Sequence, residues 1–570
     1  MKSVIETMNL WKPKAITVVV AVGNLILEEL NFVDKINAKV NYSEDHCNLS
    51  LGQRAKAFIL ATFTDMRIPL THIQDRTADM DLEYLLRADY DKCDINAFNM
   101  GRALECIGEQ NVNNSYETLA VAAIEKYKIP IERNHSDTST ISFHGEYDIS
   151  KMNLTDEEKE EILKIEKGYN KDGRAGDNQV IIGKMVTNTG IPLTSRVLDG
   201  VTSDIEWNRI AIDCYEQLQT RGINHCTYVA DCKLITQELV ERLNAPDRRI
   251  PFVSRCPENF NELQAKRTKA HAYKKDTWID FGQVGTGKNA SNYRGSSHTE
   301  TIFGTPMRLL VLESTALCEK AKKSFAKRQA AVEPLVKAIE KKSFACFADA
   351  QKEFNRFAKL KDLRFFDVTP EITEKLHEKW PRGRRTITTK PKITSVFTIK
   401  VSVSTNTNAY DEFIRNESSF VLISNIAEET MNDTDLLKTY KGQHTVESTF
   451  RHFKSPSLAS VIYLKNPKRI EAMTMLLSVA LLIRAIVQYR LRDGLKKHLQ
   501  ENPGAIIRAG WGGKKLESPT FHLFYEHTIN CKFERIPSGE YTFDWPNVET
   551  RATVGALLML MGLSISTILL

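Results

Sequence analysis

At 570 residues the chain has room for about three or four domains and an ample core. Its 42% apolar and 26% charged content is that of a soluble globular protein. A net charge of +6 is too small for nonspecific electrostatics alone to mark a nucleic-acid binder, so any basic surface is local, and ten cysteines without a CxxC pair exclude a zinc ribbon or dithiol redox motif and leave reduced thiols in a cytosolic protein.

Residues 1–130 are expected to form one or two mainly helical modules. Ala15 to Val22, behind Lys12 and Lys14, mimics a signal-peptide core, but it runs on into Asn24, Glu28 and Glu29 without a small-residue cleavage site. It is taken as the first strand or helix of a folded domain. ILEELNFVDKINAKV and RAKAFILATFTDMRIPL carry apolar residues at helical spacing, and AFNMGRALECIGEQN and SYETLAVAAIEKY give two further helices, broken at Asn111 to Asn114. Short helices separated by polar turns suit helix-turn-helix DNA binding and equally suit a small bundle.

At Ile131 the pattern changes. HSDTSTISFHGEYD alternates and is rich in β-branched and aromatic residues, as a strand should be, and it carries Asp137. A charge inside a strand that enters a core is costly unless it meets a cation or a metal. After a charged helix, TDEEKEEILKIEKG, and a Gly-rich loop, GYNKDGRAGDNQ, the strands VIIGKMVT and IPLTSRVLDG are joined through an NTG turn. Ser203 or Asp204 caps a helix that runs to about Gln219. CTYVAD is a short strand that delivers Asp231 at its carboxyl end, followed by the helix KLITQELVERLN and the buried strand PFVSRC. Three hairpin-linked strands, a helix, a strand, a helix and a strand are the element order of the ribonuclease-H-like fold, although other α/β domains share it.

Residues 257–430 exceed what such a fold needs and are expected to be an inserted domain. Its first part, to about 310, reads as polar and turn-rich. Gly282, Gly287 and Lys288 imitate a phosphate loop, but Asn289 stands where the magnesium-binding Ser or Thr belongs and no apolar helix follows, so nucleotide binding is rejected. Glu313 to Leu360 reads as a long lysine-laced helical stretch. WPRGRRTITTKPK is the densest basic segment, and Arg382, Arg384 and Arg385 are its candidate phosphate contacts, with Trp380 packing on the insert. VFTIKVSVS and SSFVLISN follow as strands.

YKGQHTVESTFRHFK comes next. On one α-helix, side chains three, four and seven apart share a face, so Tyr440, Gln443, Glu447, Arg451 and Lys454 form a polar stripe, with Val446, Phe450 and Phe453 pointing elsewhere. Such a stripe is either a solvated face with an ordinary Glu447 to Arg451 ion pair or a surface where a metal ion and a phosphate backbone meet. KRIEAMTMLLSVALLIRAIVQYRLR reads as a buried scaffold helix rather than a membrane span, because Arg469, Glu471, Arg484 and Arg490 interrupt its apolar run. The uncharged tail from Ala552 to Leu570 is about long enough for a bilayer, but its Gly, Ser and Thr content suits a buried terminal helix better than an anchor.

The spacing of Tyr440, Gln443, Glu447 and Lys454 resembles the Y-R-E-K signature of the insertion-sequence-four superfamily of DDE transposases, with Gln443 where that superfamily has arginine. YKGQ, VES-F-RHFK and LKNPKRIEAM are similar to the insertion-sequence-1634 group, where glutamine at that place is usual. YDKCDINAFNMGRALECIGE resembles the helical region ahead of the catalytic core in the same branch. The resemblance implies an α/β protein with a ribonuclease-H-like catalytic core, residues 131–256 and 431–494, interrupted by a large α+β insertion domain, residues 257–430. A mainly helical N-terminal DNA-binding region, residues 1–130, and a C-terminal region, residues 495–570, complete it.

By the same resemblance Asp137, Asp231 and Glu447 are the D, D and E that hold two Mg2+ ions, with Mn2+ able to substitute. Tyr440, Gln443, Arg451 and Lys454 would hold the DNA end. The implied activity of this bacterial-type mobile element is metal-dependent strand cleavage and strand transfer by two-metal phosphoryl chemistry on double-stranded DNA, transposon ends and target alike. A homodimer on DNA, no nucleotide cofactor and a cytoplasmic, nucleoid-associated location follow. Two rivals stay open: a ribonuclease-H-like nuclease that never joins strands, and a retired transposase that only binds DNA.

Overall fold

The computed structural model describes residues 14–569 apart from 41–47, 65–69, 111, 148–154, 175, 224–225, 262–263, 286–289, 381, 384–389, 456–463 and 510–512. The chain is a mixed α/β protein that divides into two units, Met1–Phe252 with Thr439–Leu570, and Val253–Lys438.

The first unit is built on a mixed sheet. Strand β1, Arg133–Phe143, pairs antiparallel with β2, Asn178–Thr187, which in turn pairs antiparallel with β3, Pro192–Leu198. The other edge of β1 takes a parallel strand, β4, Thr227–Ala230. Helix α1, Asp204–Thr220, starts where Ser203 accepts a hydrogen bond from the Glu206 N–H, and it lays Trp207 on the sheet. The ring lies so close to Gly183 of β2 that an added Cβ there would sit 2.3 Å from it, and its Nε1 donates to Ser136 Oγ of β1 at 2.9 Å. Glycine at 183 is therefore a packing requirement.

Helices α2, His444–Phe453, and α3, Pro467–Glu501, also pack in this unit, α2 against β1 and β2 and α3 against β3. Pro467 opens α3 and the Asn466 side chain caps it. The helix is long and apolar enough to cross a membrane, but it is mostly buried: Leu51–Ala61, Ala97–Gly108, Val112–Tyr127 and Val548–Leu560 all pack on it. The apolar tail is α-helical only to Leu560, in the helix Val548–Leu560, which puts Val554, Leu557 and Leu558 in the core and leaves Val548 and Met559 exposed. Residues at the two ends of the sequence share a small sheet, in which Ala15–Thr17 pairs with Lys532–Arg535, itself paired with Tyr541–Phe543.

The second unit holds an antiparallel sheet in the order Phe252–Arg255, Ser419–Ser424, Thr305–Ser314, Ser291–Ile302, Ile279–Val284. The polar stretch read as turns therefore contains the helix Gln264–Lys275 and the strands Ile279–Val284 and Ser291–Ile302, whose side chains are largely exposed or polar and so lack an apolar signature, and it runs into the buried, apolar strand Thr305–Ser314. Gly282 lies within one of these strands; Gly287, Lys288 and Asn289 lie outside the described residues. Helices Thr315–Glu340, Phe347–Ala358 and Thr407–Ser418 cover an aromatic core centred on Phe325, Phe354, Phe357 and Phe413. Strands Phe366–Lys379 and Lys392–Thr405 pair along fourteen residues each, and their outer halves are exposed.

Candidate active site

Asp137 lies at the middle of β1, and Asp231 directly follows β4. The parallel register pairs Arg133 with Thr227 and His135 with Val229; continued two residues, it sets Asp137 beside Asp231. Burial raises the Asp137 carboxyl to about 6, with the Asp231 and Asp204 carboxylates adding to the rise while Lys171 and the Thr138 N–H oppose it. That N–H donates to Asp137 Oδ1 at 2.7 Å. Asp231 is also raised, first by burial, although it accepts the Lys233 N–H at 3.0 Å and caps the short turn Cys232–Leu234. Two carboxylates raised first by burial, Asp137 further by Asp231 and Asp204 and Asp231 further by Asp204, form a site that a cation would relieve.

A third carboxylate joins this pair. Asp204, in the first turn of α1, accepts from Thr138 Oγ1 at 2.6 Å and from Lys171 Nζ at 2.8 Å. Burial would raise it, but the hydrogen bonds from Lys171 and Thr138 hold it below its ordinary value. Lys171 Nζ also lies 3.9 Å from Asp137 Oδ1, so its ammonium is the cation that stands between the acids. The sequence reading missed both residues. Asp204 was legible only as a helix cap, and Lys171 only as part of a Gly-rich loop.

The stripe on YKGQHTVESTFRHFK is not one continuous helix. One helix, Asp433–Lys441, ends past Tyr440 and α2 begins at His444, with short turns at Gly442 and Gln443 between them. Gly442 is pressed on His135 of β1, where an added Cβ would lie 2.8 Å from the imidazole. Burial drives this His135 imidazole down to about 4, so it is neutral. The close approach lets Gln443 Nε2 donate to the Ser136 carbonyl at 3.1 Å, one residue from Asp137. At the far end of α2, Lys454 Nζ binds both carboxylate oxygens of Asp172 at 2.8 Å, and Asp172 adjoins Lys171. The stripe is thus fastened at both ends close to β1.

Glu447 lies one turn beyond Gln443 and is exposed, as is Arg451. Among the described residues no group of three or more His, Cys, Asp or Glu side chains is gathered tightly enough to hold a metal ion. Tyr440 lies in the last turn of the preceding helix. In the second unit, Arg382 is exposed beyond the strand that ends at Lys379, whereas Arg384 and Arg385 lie outside the described residues.

The donor chemistry nevertheless fits magnesium. Mg2+ takes hard oxygen ligands and is usually held by one or two carboxylates, with water and substrate phosphates completing its shell. The Asp137 and Asp231 pair meets that requirement, and Lys171 marks the position where positive charge is favoured.

A family model described as a domain of unknown function, DUF4277, matches residues 17–121, the helical region that precedes the sheet. No curated protein sequence matches the chain. Among solved structures, the chain is similar to a piggyBac transposase in a synaptic complex with hairpin DNA, at 8% identity over 98% of this chain and 84% of that one. The TM-score is 0.33.

Proposed function

We propose that this chain is a DDE transposase of a bacterial-type insertion sequence, whose ribonuclease-H-like core comprises β1 to β4, α1 and α2. The observation that carries the reading is that Asp137 on β1 and Asp231, just past the end of parallel β4, are both raised by burial, the Asp231 charge adding to the rise at Asp137, with α2 fastened to β1 one residue from Asp137. The strand order β3, β2, β1, β4 and the Y-x2-Q-x3-E-x6-K spacing support the same assignment.

Asp137 and Asp231, with Glu447 brought in from α2, are the residues that would hold the divalent cations. Bound there, such ions would make water more acidic and offset charge on the leaving 3′ oxygen. Lys454 and Arg451 bind the phosphates of the transposon end, and Gln443 and Tyr440 orient it. Held in line, the freed 3′ hydroxyl then attacks a target phosphodiester, so no covalent enzyme intermediate is required. Arg382, Arg384 and Arg385 contribute phosphate contacts from the second unit, and pairing of two ends calls for a dimer on DNA.

The test uses duplexes that end in the inverted repeats flanking the gene. The reading expects cleavage that depends on Mg2+ or Mn2+, is lost in Asp231→Asn, and is followed by joining of a pre-cleaved end to target DNA. A pre-cleaved end that is never joined would identify a nuclease. Absence of cleavage despite tight end binding, in wild type and Asp231→Asn alike, would identify a protein that only binds DNA.

A further inference from the structure

The loop between β1 and β2 that carries Lys171 and Asp172 makes two contacts of opposite sign in the candidate site. Asn170 holds the loop in shape: its Nδ2 donates to Ser142 Oγ of β1 at 2.9 Å, and its Oδ1 accepts from the N–H groups of Asp172 at 2.9 Å and Arg174 at 3.3 Å. The Gly173 N–H returns to the Asn170 carbonyl at 3.2 Å, with Gly173 in the left-handed region at φ 74°. This side-chain-stapled turn leaves Lys171 and Asp172 at its tip.

From there Lys171 points inward. Its Nζ donates to Asp204 Oδ1 at 2.8 Å, to Thr138 Oγ1 at 2.6 Å and to the Thr138 carbonyl at 3.2 Å, and it lies 3.9 Å from Asp137 Oδ1. Asp172 instead grips Lys454 with both oxygens at 2.8 Å. The ammonium thus supplies the acids with the charge a metal ion would supply. The carboxylate supplies Lys454 with the charge a DNA phosphate would supply.

We propose that this loop is an autoinhibitory latch, in which Lys171 substitutes for the divalent cation and Asp172 for the DNA backbone until both ligands arrive and lift it. The proposal rests on the transposase reading above. Its logic is electrostatic exclusion: a divalent ion on Asp137 repels an ammonium beside it, and a phosphate on Lys454 repels the Asp172 carboxylate. Neither contact is strong alone, since pairs of this exposure are weak, so the latch opens under modest ligand concentrations. The latch keeps the acids balanced and the DNA lysine occupied in the free protein, and it couples metal entry to DNA entry because one turn carries both residues.

The full-length protein without DNA is titrated with Mn2+ and followed by the electron paramagnetic resonance of the free ion. A random-sequence 30-base-pair duplex is titrated separately by fluorescence anisotropy at low salt. Lys171→Gln should bind Mn2+ about fivefold or more tighter than wild type, and Asp172→Asn should bind the duplex about two- to fivefold tighter, a gain that vanishes when Lys454 is also changed to Gln. In the wild type, Mn2+ and duplex added together should speed hydrogen exchange of the Asp172, Gly173 and Arg174 amides, a measurement that needs no variant to fold. Unchanged or weaker Mn2+ binding in Lys171→Gln, a duplex gain that persists without Lys454, or unaltered loop exchange would each overturn the latch. Mn2+ binding lost in Asp137→Asn but indifferent to Lys171→Gln would overturn the latch alone. Mn2+ binding that survives Asp137→Asn would overturn the transposase reading with it.

Discussion

Replacing Asp137 by Asn should make the protein more stable at neutral pH while removing a carboxylate of the proposed metal site. The Asp137 carboxyl is raised from 3.8 to about 6, first by burial and then by Asp231 and Asp204, against the pull of Lys171. A folded value above the unfolded one means that the native state keeps the proton longer, so stability is fully present below about pH 4 and is lost as pH rises through about 6. At about 1.4 kcal/mol per unit, the ionised side chain costs about 3 kcal/mol at pH 7.5 and about half that at pH 5.0. The side chain is 28% exposed, so these are upper figures. Asn keeps an oxygen for the Thr138 N–H and sheds the charge. Urea unfolding of wild type and Asp137→Asn in EDTA, followed by fluorescence and circular dichroism at both pH values, measures the difference. The variant should gain at pH 7.5 and gain less at pH 5.0, and added Mg2+ should stabilise only the wild type. A variant less stable than wild type at pH 7.5, or with the same gain at both pH values, would show that the Asp137 charge does not destabilise the fold.

Three other outcomes are expected. Gly442→Ala drives a methyl into the His135 ring and should cost about 1–3 kcal/mol in urea unfolding while disturbing the Gln443 contact. Lys184 is fully buried, bonded to Ser195 Oγ and Ser478 Oγ and set over the Phe453 ring, and burial lowers it to about 7. Because the unfolded chain then binds the extra proton, wild-type stability should rise between pH 7 and pH 9, and Lys184→Met, whose two serines already bond each other, should raise the urea midpoint at pH 7 and flatten that slope. Lys454→Ala should weaken duplex binding across all sequences and reduce the salt slope of log K by about 1, read by anisotropy at several salt concentrations.

Much of the first unit was legible because its signals are local. Alternation marks β1, apolar runs about an NTG turn mark β2 and β3, Ser203 announces α1, and the acid after CTYVA falls at a strand end. What stayed hidden depends on contacts between distant residues. The break at Gly442 follows from its approach to His135, which no helical period encodes. Lys171 and Asp204 became visible only when the chain brought residues 33 apart together. Strand Phe366–Lys379 alternates between charges and scattered apolar residues, and helix Gln264–Lys275 is too polar to give an apolar stripe, so neither stood out. The pairing of Ile16 with Phe533 ties one end of the sequence to the other and has no local signature.

In the proposed mechanism Asp137, Asp231 and Glu447 hold divalent ions together once DNA is present. Its most direct measurement is the number of Mn2+ ions bound per chain in the protein–DNA complex, by paramagnetic resonance, for wild type and for Asp137→Asn, Asp231→Asn and Glu447→Gln. The wild type should bind two ions and every variant at least one fewer. Glu447→Gln with undiminished stoichiometry and affinity would contradict the mechanism.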